Sequence, residues 1–146
     1  MPFSSALGDI GHVIQLAIAP VFLLTAVGTL LNVLVNRLGR SVDRRRTLVA
    51  ALPGLQGEMA ESARSELGFV ARRVRLIYTA ILLAVLCALL ICLLIAIAFM
   101  DALFAADFSQ VVAVLFVVAM IVLIGSLALF LREIHLGVST VASPLR

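Results

Sequence analysis

The sequence predicts an all-α integral membrane protein: three transmembrane helices forming a single membrane domain over residues 1–146, with a cytoplasmic antiparallel helical hairpin extending the first two. Three observations predict it. The composition is 64% hydrophobic and the mean hydropathy is +1.24, outside the range of a water-soluble domain. Three apolar runs reach the roughly 20 residues that a helix needs to cross about 30 Å of hydrocarbon. Nine of the eleven arginines fall between Arg37 and Arg75, leaving the rest of the chain almost free of positive charge.

The first span covers residues 13–35. It is too long for the core of a signal peptide, lacks a basic stretch before it, and has no small-residue cleavage site before the arginines, so it is expected to be retained. Pro20 is tolerable because neighbouring groups in a membrane helix can satisfy the carbonyl it frees, and a kink is expected there. The second and third spans, residues 76–100 and 111–131, carry almost no polar side chains. Cys87 and Cys92 lie in the second, where free cysteine acts as a small hydrophobe; five positions apart, they diverge around the helix and are not expected to bond.

Short arginine-rich loops stay on the cytoplasmic side. The segment 37–75 sets nine arginines against Asp43, Glu58, Glu61 and Glu66, whereas the link between the last two spans carries Asp101 and Asp107 with no basic residue. The N-terminus is therefore expected outside and the C-terminus inside.

That segment keeps a helical apolar period through Leu38, Val42, Val49 and Leu52, then Met59, Ala63, Leu67, Val70 and Val74, interrupted at Pro53 and Gly54. Two helical arms on the order of 25 Å long, folded back at that break, follow from the rise per residue. Pairing residues equidistant from the break opposes Asp43 to Arg64, Arg46 to Glu61 and Arg40 to Glu66. Such exposed pairs are worth at most about 1 kcal/mol each, so they would fix register more than stability. Arg37, Arg72, Arg73 and Arg75, with Arg40, fall close to the membrane boundary, where anionic lipid of the inner leaflet attracts each by about 1 kcal/mol. Nucleic acid is not an expected partner, because the cluster has no interleaved aromatics and no binding motif.

The first span carries a polar stripe. Thr25, Thr29, Asn32 and Asn36 are spaced four, three and four apart and share a narrow face at about 100° per residue. Ile18 and Phe22 extend that face outward, and Arg40 extends it inward, with Gln15 near its edge and His12 off it. Amides facing acyl chains would lose the hydrogen bonds water gives them, so the face must meet other helices or a water-filled space. One reading is a helix interface eased by Gly28. The sharper one is a homo-oligomeric pore that favours anions, with Ile18 and Phe22 as an apolar constriction, hydroxyl and amide rings beneath it, and Arg40 at the inner end.

No nucleotide loop, nucleophile elbow or metal-ligand spacing occurs, so no catalytic residue, cofactor or metal is expected. His12 and His135 fall near opposite faces and cannot share an ion. The alternative to a pore is a structural or regulatory membrane protein, or an accessory transporter subunit, whose basic hairpin binds a cytoplasmic partner or anionic lipid.

The stretch IAPVFLLTAVGTLLNVLVNRLGRSVDRRR, residues 18–46, with RRVRLIYTAI and LFLREIHLG further on, resembles a family of small three-helix bacterial membrane proteins catalogued as a domain of unknown function. The resemblance covers nearly the whole chain. It implies a multi-pass protein of the bacterial cytoplasmic membrane and supplies no activity, substrate or site residue.

Overall fold

The structure is a computed structural model. It describes residues 2–104 and 107–139, with side chains at 14, 15, 17–101, 103, 104 and 107–136, so the side chain of His12 and all of Arg146 lie outside the described residues. Three long helices account for it: α1 (Pro2–Ala51), α2 (Glu58–Phe104) and α3 (Ser109–Ser139). No strand occurs among the described residues. All three helices are long and apolar enough to cross a membrane. In hydrocarbon the backbone must satisfy its own hydrogen bonds, and an uninterrupted helix does so. Helix α1 passes through Pro20 without ending.

The break between α1 and α2 is local chemistry. Pro53 lacks the N–H that would continue α1, and its ring crowds the turn before it. The chain tightens into a 3-10 turn at Leu52–Gly54 and becomes extended at Leu55, whose N–H bonds the Leu52 carbonyl at 3.2 Å. Gly57 then takes a left-handed φ of 61°, a conformation glycine adopts without steric cost. Its carbonyl accepts the N–H groups of Ala60 and Glu61 at 3.1 and 3.3 Å. Glu58 and Glu61 in the first turn of α2 complement the positive end of the helix dipole.

Contacts divide the chain into two compact units, Met1–Leu31 with Leu83–Ile124, and Asn32–Leu82 with Gly125–Arg146. In the first, Val27, Ala84, Cys87, Ile91, Leu94 and Ala119 are buried. Asp101 accepts the Phe108 N–H at 3.0 Å and Asp107 accepts the Ser109 hydroxyl at 2.6 Å, so both carboxylates of the link between α2 and α3 serve the turn that starts α3. In the second unit, Leu34, Leu48, Ala60, Ala63, Val70, Ile77 and Ala80 are buried together with the polar Ser126 and Glu133.

The buried positions follow one rule on each helix. On α1, Pro20, Val27, Leu34 and Leu48 fall in a seven-residue register. On α2, Ile77, Ala84 and Ile91 do so, and Ala80, Cys87 and Leu94 run beside them; on α3 the row is Ala119, Ser126 and Glu133. A 3.5-residue period is the spacing of left-handed helix packing. Small side chains on the seam let helix backbones approach, which lipid-embedded helices need because burial of apolar surface gives them little driving force. Most of each span stays unburied: of the most hydrophobic window in each helix, at most 28% of residues are buried. Leu82, Leu89, Ile121 and Ile124 project outward with more than half their surface free.

Candidate functional site

The polar face of α1 is built by the same helical arithmetic that builds its seam. Thr25 and Thr29 lie two residues either side of Val27, and Asn32 and Asn36 two either side of Leu34, about 200° around the axis. The stripe is therefore opposite the buried row, and every member of it is exposed. In the first unit, Ile18 and Phe22 expose 49% and 72% of their surface. Thr25 and Thr29 donate their hydroxyls to the carbonyls of Val21 and Thr25 at 3.2 and 3.1 Å, so these two donors are satisfied within the helix. In the second unit, Asn36 Nδ2 donates to Asn32 Oδ1 at 3.0 Å. That bond uses one amide donor and one acceptor, leaving the Asn32 amino group and the Asn36 oxygen unspent. Gln15 is exposed as well, and a Cβ at Gly28 would meet nothing within 4 Å, so among the described residues no helix closes on that glycine.

The second polar centre was not legible as a site in the sequence. Glu133 is fully buried, and two arginines converge on it. Arg73 donates from Nε and Nη2 to Glu133 Oε1 at 3.1 and 2.7 Å. Arg37 Nη2 lies 3.2 Å from Oε2, close enough for charge attraction, although Oε2 accepts no hydrogen bond. The Arg37 guanidinium also sits 5.3 Å over the Phe130 ring, a cation–π contact worth about 0.5–2 kcal/mol depending on its desolvation. One carboxylate of α3 thus ties down a charge from α1 and a charge from α2. Ser126, two turns earlier on α3, donates its hydroxyl to the Ala80 carbonyl at 2.8 Å, again fully buried.

Of the arginines expected at lipid headgroups, Arg37 and Arg73 pair with Glu133 and keep part of their surface free, while Arg72 and Arg75 are exposed; the expected ion pairs of the two arms are corrected. An interior carboxylate outbids solvent for the two guanidiniums nearest to it, because its own burial makes an unpaired state costly. Among the described residues, none of Asp43–Arg64, Arg46–Glu61 and Arg40–Glu66 forms an ion pair; Glu66 is held by Arg44, through Nε at 2.8 Å and Nη2 at 2.6 Å. The register differs because the turn does not end at Gly54 but continues to Gly57, which moves its midpoint towards α2. Of the apolar positions expected on the arms, Ala63 and Val70 are buried, whereas Val49 and Met59 are exposed and their neighbours Leu48 and Ala60 are buried instead.

The only sequence signal for Glu133 is its isolation: it is the one acidic residue after Asp107, at the end of an apolar run, in the segment LFLREIHLG. A family model described as "protein of unknown function (DUF2721)" matches residues 17–143. No curated protein and no solved structure matches the chain.

Proposed function

The chain belongs to this family of proteins of unknown function, and we propose that it assembles into a homo-oligomer around the polar face of α1, forming an ion-conducting pore in a bacterial cytoplasmic membrane. The observation that carries this reading is the position of the stripe. Thr25, Thr29, Asn32 and Asn36 lie on an exposed face, opposite the seam that α1 uses for its own chain. An amide left without partners in an apolar medium costs several kcal/mol, and the single Asn36–Asn32 bond leaves most of that hydrogen-bonding capacity unmet. Sister copies of α1, with water between them, supply the missing partners. Three helices are too few to enclose a conduit, so the axis must lie between subunits.

The arginine excess of residues 37–75 supports an orientation with the hairpin in the cytoplasm and the N-terminus outside. From outside inward the axis then meets Ile18 and Phe22, an apolar ring that gates by dewetting, then hydroxyls and amides, then Arg40 at the inner mouth. The positive inner mouth favours anions.

Reconstitution of the purified full-length chain in liposomes tests this. Chloride flux is expected from the wild type, a higher resting leak from Phe22→Ala and reduced flux from Asn32→Leu. A cysteine at position 32, in a chain with Cys87 and Cys92 replaced, should cross-link copies. A monomer without cross-links, or flux that neither variant changes, overturns the pore. Cross-linked oligomers without flux would make the face a dry interface and move the function to the basic hairpin.

A further inference from the structure

In the second unit, α1 and α2 enclose a cleft of about 150 Å³ lined by Arg40, Ser41, Arg44, Val70 and Arg73. We propose that this cleft binds a phosphate group, carried either by an anionic lipid headgroup or by a free phosphate anion. It needs no conduction and stands apart from the stripe, sharing with it only Arg40.

Two of the three arginines are already aimed. Arg44 is held by Glu66 Oε1 through Nε and Nη2 at 2.8 and 2.6 Å. Arg73 is held by Glu133 Oε1 through the same pair of nitrogens at 3.1 and 2.7 Å. Each guanidinium has five N–H donors in a rigid fork, and binding along the Nε side leaves both hydrogens of Nη1 and one of Nη2 unspent. The carboxylates thus fix the orientation of two forks, so an incoming anion meets donors whose ordering entropy is largely settled. Arg40 has no ion-pair or hydrogen-bond partner among the described residues and is exposed. Ser41 adds a hydroxyl.

Charge and size agree. Of the three arginines that line the cleft, Arg44 is paired with Glu66 and Arg73 with Glu133, leaving Arg40 as one positive charge in excess. At a water's share of about 30 Å³, the volume suits a body of about five heavy atoms, the size of a phosphate with its oxygens. A planar carboxylate fills one arginine fork, whereas a tetrahedral phosphate offers acceptors to several at once. Depth fits too. Arg40 lies five residues beyond the apolar run that ends at Val35, and Arg73 lies three before the one that starts at Leu76. At 1.5 Å per residue this is about 5–8 Å past the hydrocarbon edge, within the headgroup layer.

The test uses the full-length chain in detergent micelles, where lipid is limiting and no charged bilayer surface contributes. Native mass spectrometry would follow retention of phosphatidylglycerol, with phosphatidylcholine as the zwitterionic comparison and inorganic phosphate as the competitor. Arg40→Gln removes an unpaired cleft donor without breaking an ion pair, and Arg45→Gln removes an equal, exposed charge outside the cleft. Arg40→Gln should weaken phosphatidylglycerol retention about tenfold, the worth of one charge-assisted hydrogen bond, and Arg45→Gln by less than about twofold. Ser41→Ala should weaken it to a lesser degree. Competition by inorganic phosphate would identify the phosphate alone as the ligand, and its absence would identify the intact lipid; either supports the site. Equal effects of Arg40→Gln and Arg45→Gln, or retention no better than that of phosphatidylcholine, would overturn it.

Discussion

Replacing Glu133 by glutamine keeps the shape of the side chain, removes its charge and turns one acceptor oxygen into an N–H donor. In the native chain its Oε1 accepts two N–H groups of Arg73, at 3.1 and 2.7 Å, and its Oε2 faces Arg37 at 3.2 Å. Removing one partner of a buried ion pair costs about 3–5 kcal/mol when the remaining charge is trapped. Here the remaining charges are not fully trapped, since the side chains of Arg37 and Arg73 keep 24% and 32% of their surface free and can turn outward. Their long stems make that turn inexpensive. The expected loss is therefore about 2–3 kcal/mol. Unfolding in mixed micelles, driven by a rising fraction of denaturing detergent, measures it. A double-mutant cycle divides it: coupling of Glu133 with Arg73 should be about 1–2 kcal/mol, and with Arg37 about 0.5 kcal/mol, because only Arg73 makes hydrogen bonds. A loss below about 0.5 kcal/mol, or equal couplings to the two arginines, would refute the reasoning that this carboxylate anchors the second unit.

Gly57→Ala should destabilise the same unit by about 1 kcal/mol, purely through the left-handed backbone, since the added Cβ meets nothing within 4 Å. Gly54→Ala, where the space is equally open and no left-handed φ is needed, should cost much less in the same unfolding assay. Ala84→Leu, at a fully buried seam position of the first unit, should cost about 1–3 kcal/mol by overpacking. Leu89→Ala, 62% exposed on the same helix, should change stability little, and a reversed order would mean the seam is misplaced.

The helices and the turn were legible because each has a signal with contrast. Apolar runs stand out from the arginine-rich segment between them, and Pro53 with Gly54 marks the reversal. The polar stripe of α1 was legible for the same reason, four polar side chains against an apolar background. Packing within the spans was not. Where nearly every residue is Leu, Ala, Val or Ile, hydropathy cannot tell the seam from the lipid face, and only the seven-residue spacing of Ala119, Ser126 and Glu133 on α3 hints at it. The ion pairs of the hairpin were misregistered because two proline- and glycine-based turns of different length look alike until Gly57 is seen with φ at 61°.

By itself the sequence determined how apolar this chain is, which stretches are long enough to cross a bilayer, and which face of α1 carries the polar groups. These follow from transfer free energy and helical pitch, which act within one segment. Only the tertiary structure decided that Glu133 claims Arg37 and Arg73, that Ser126 bonds the Ala80 carbonyl, and that Arg44 rather than Arg40 meets Glu66. A charge has no partner until another segment brings one within a few ångströms, and distances between segments are set by packing.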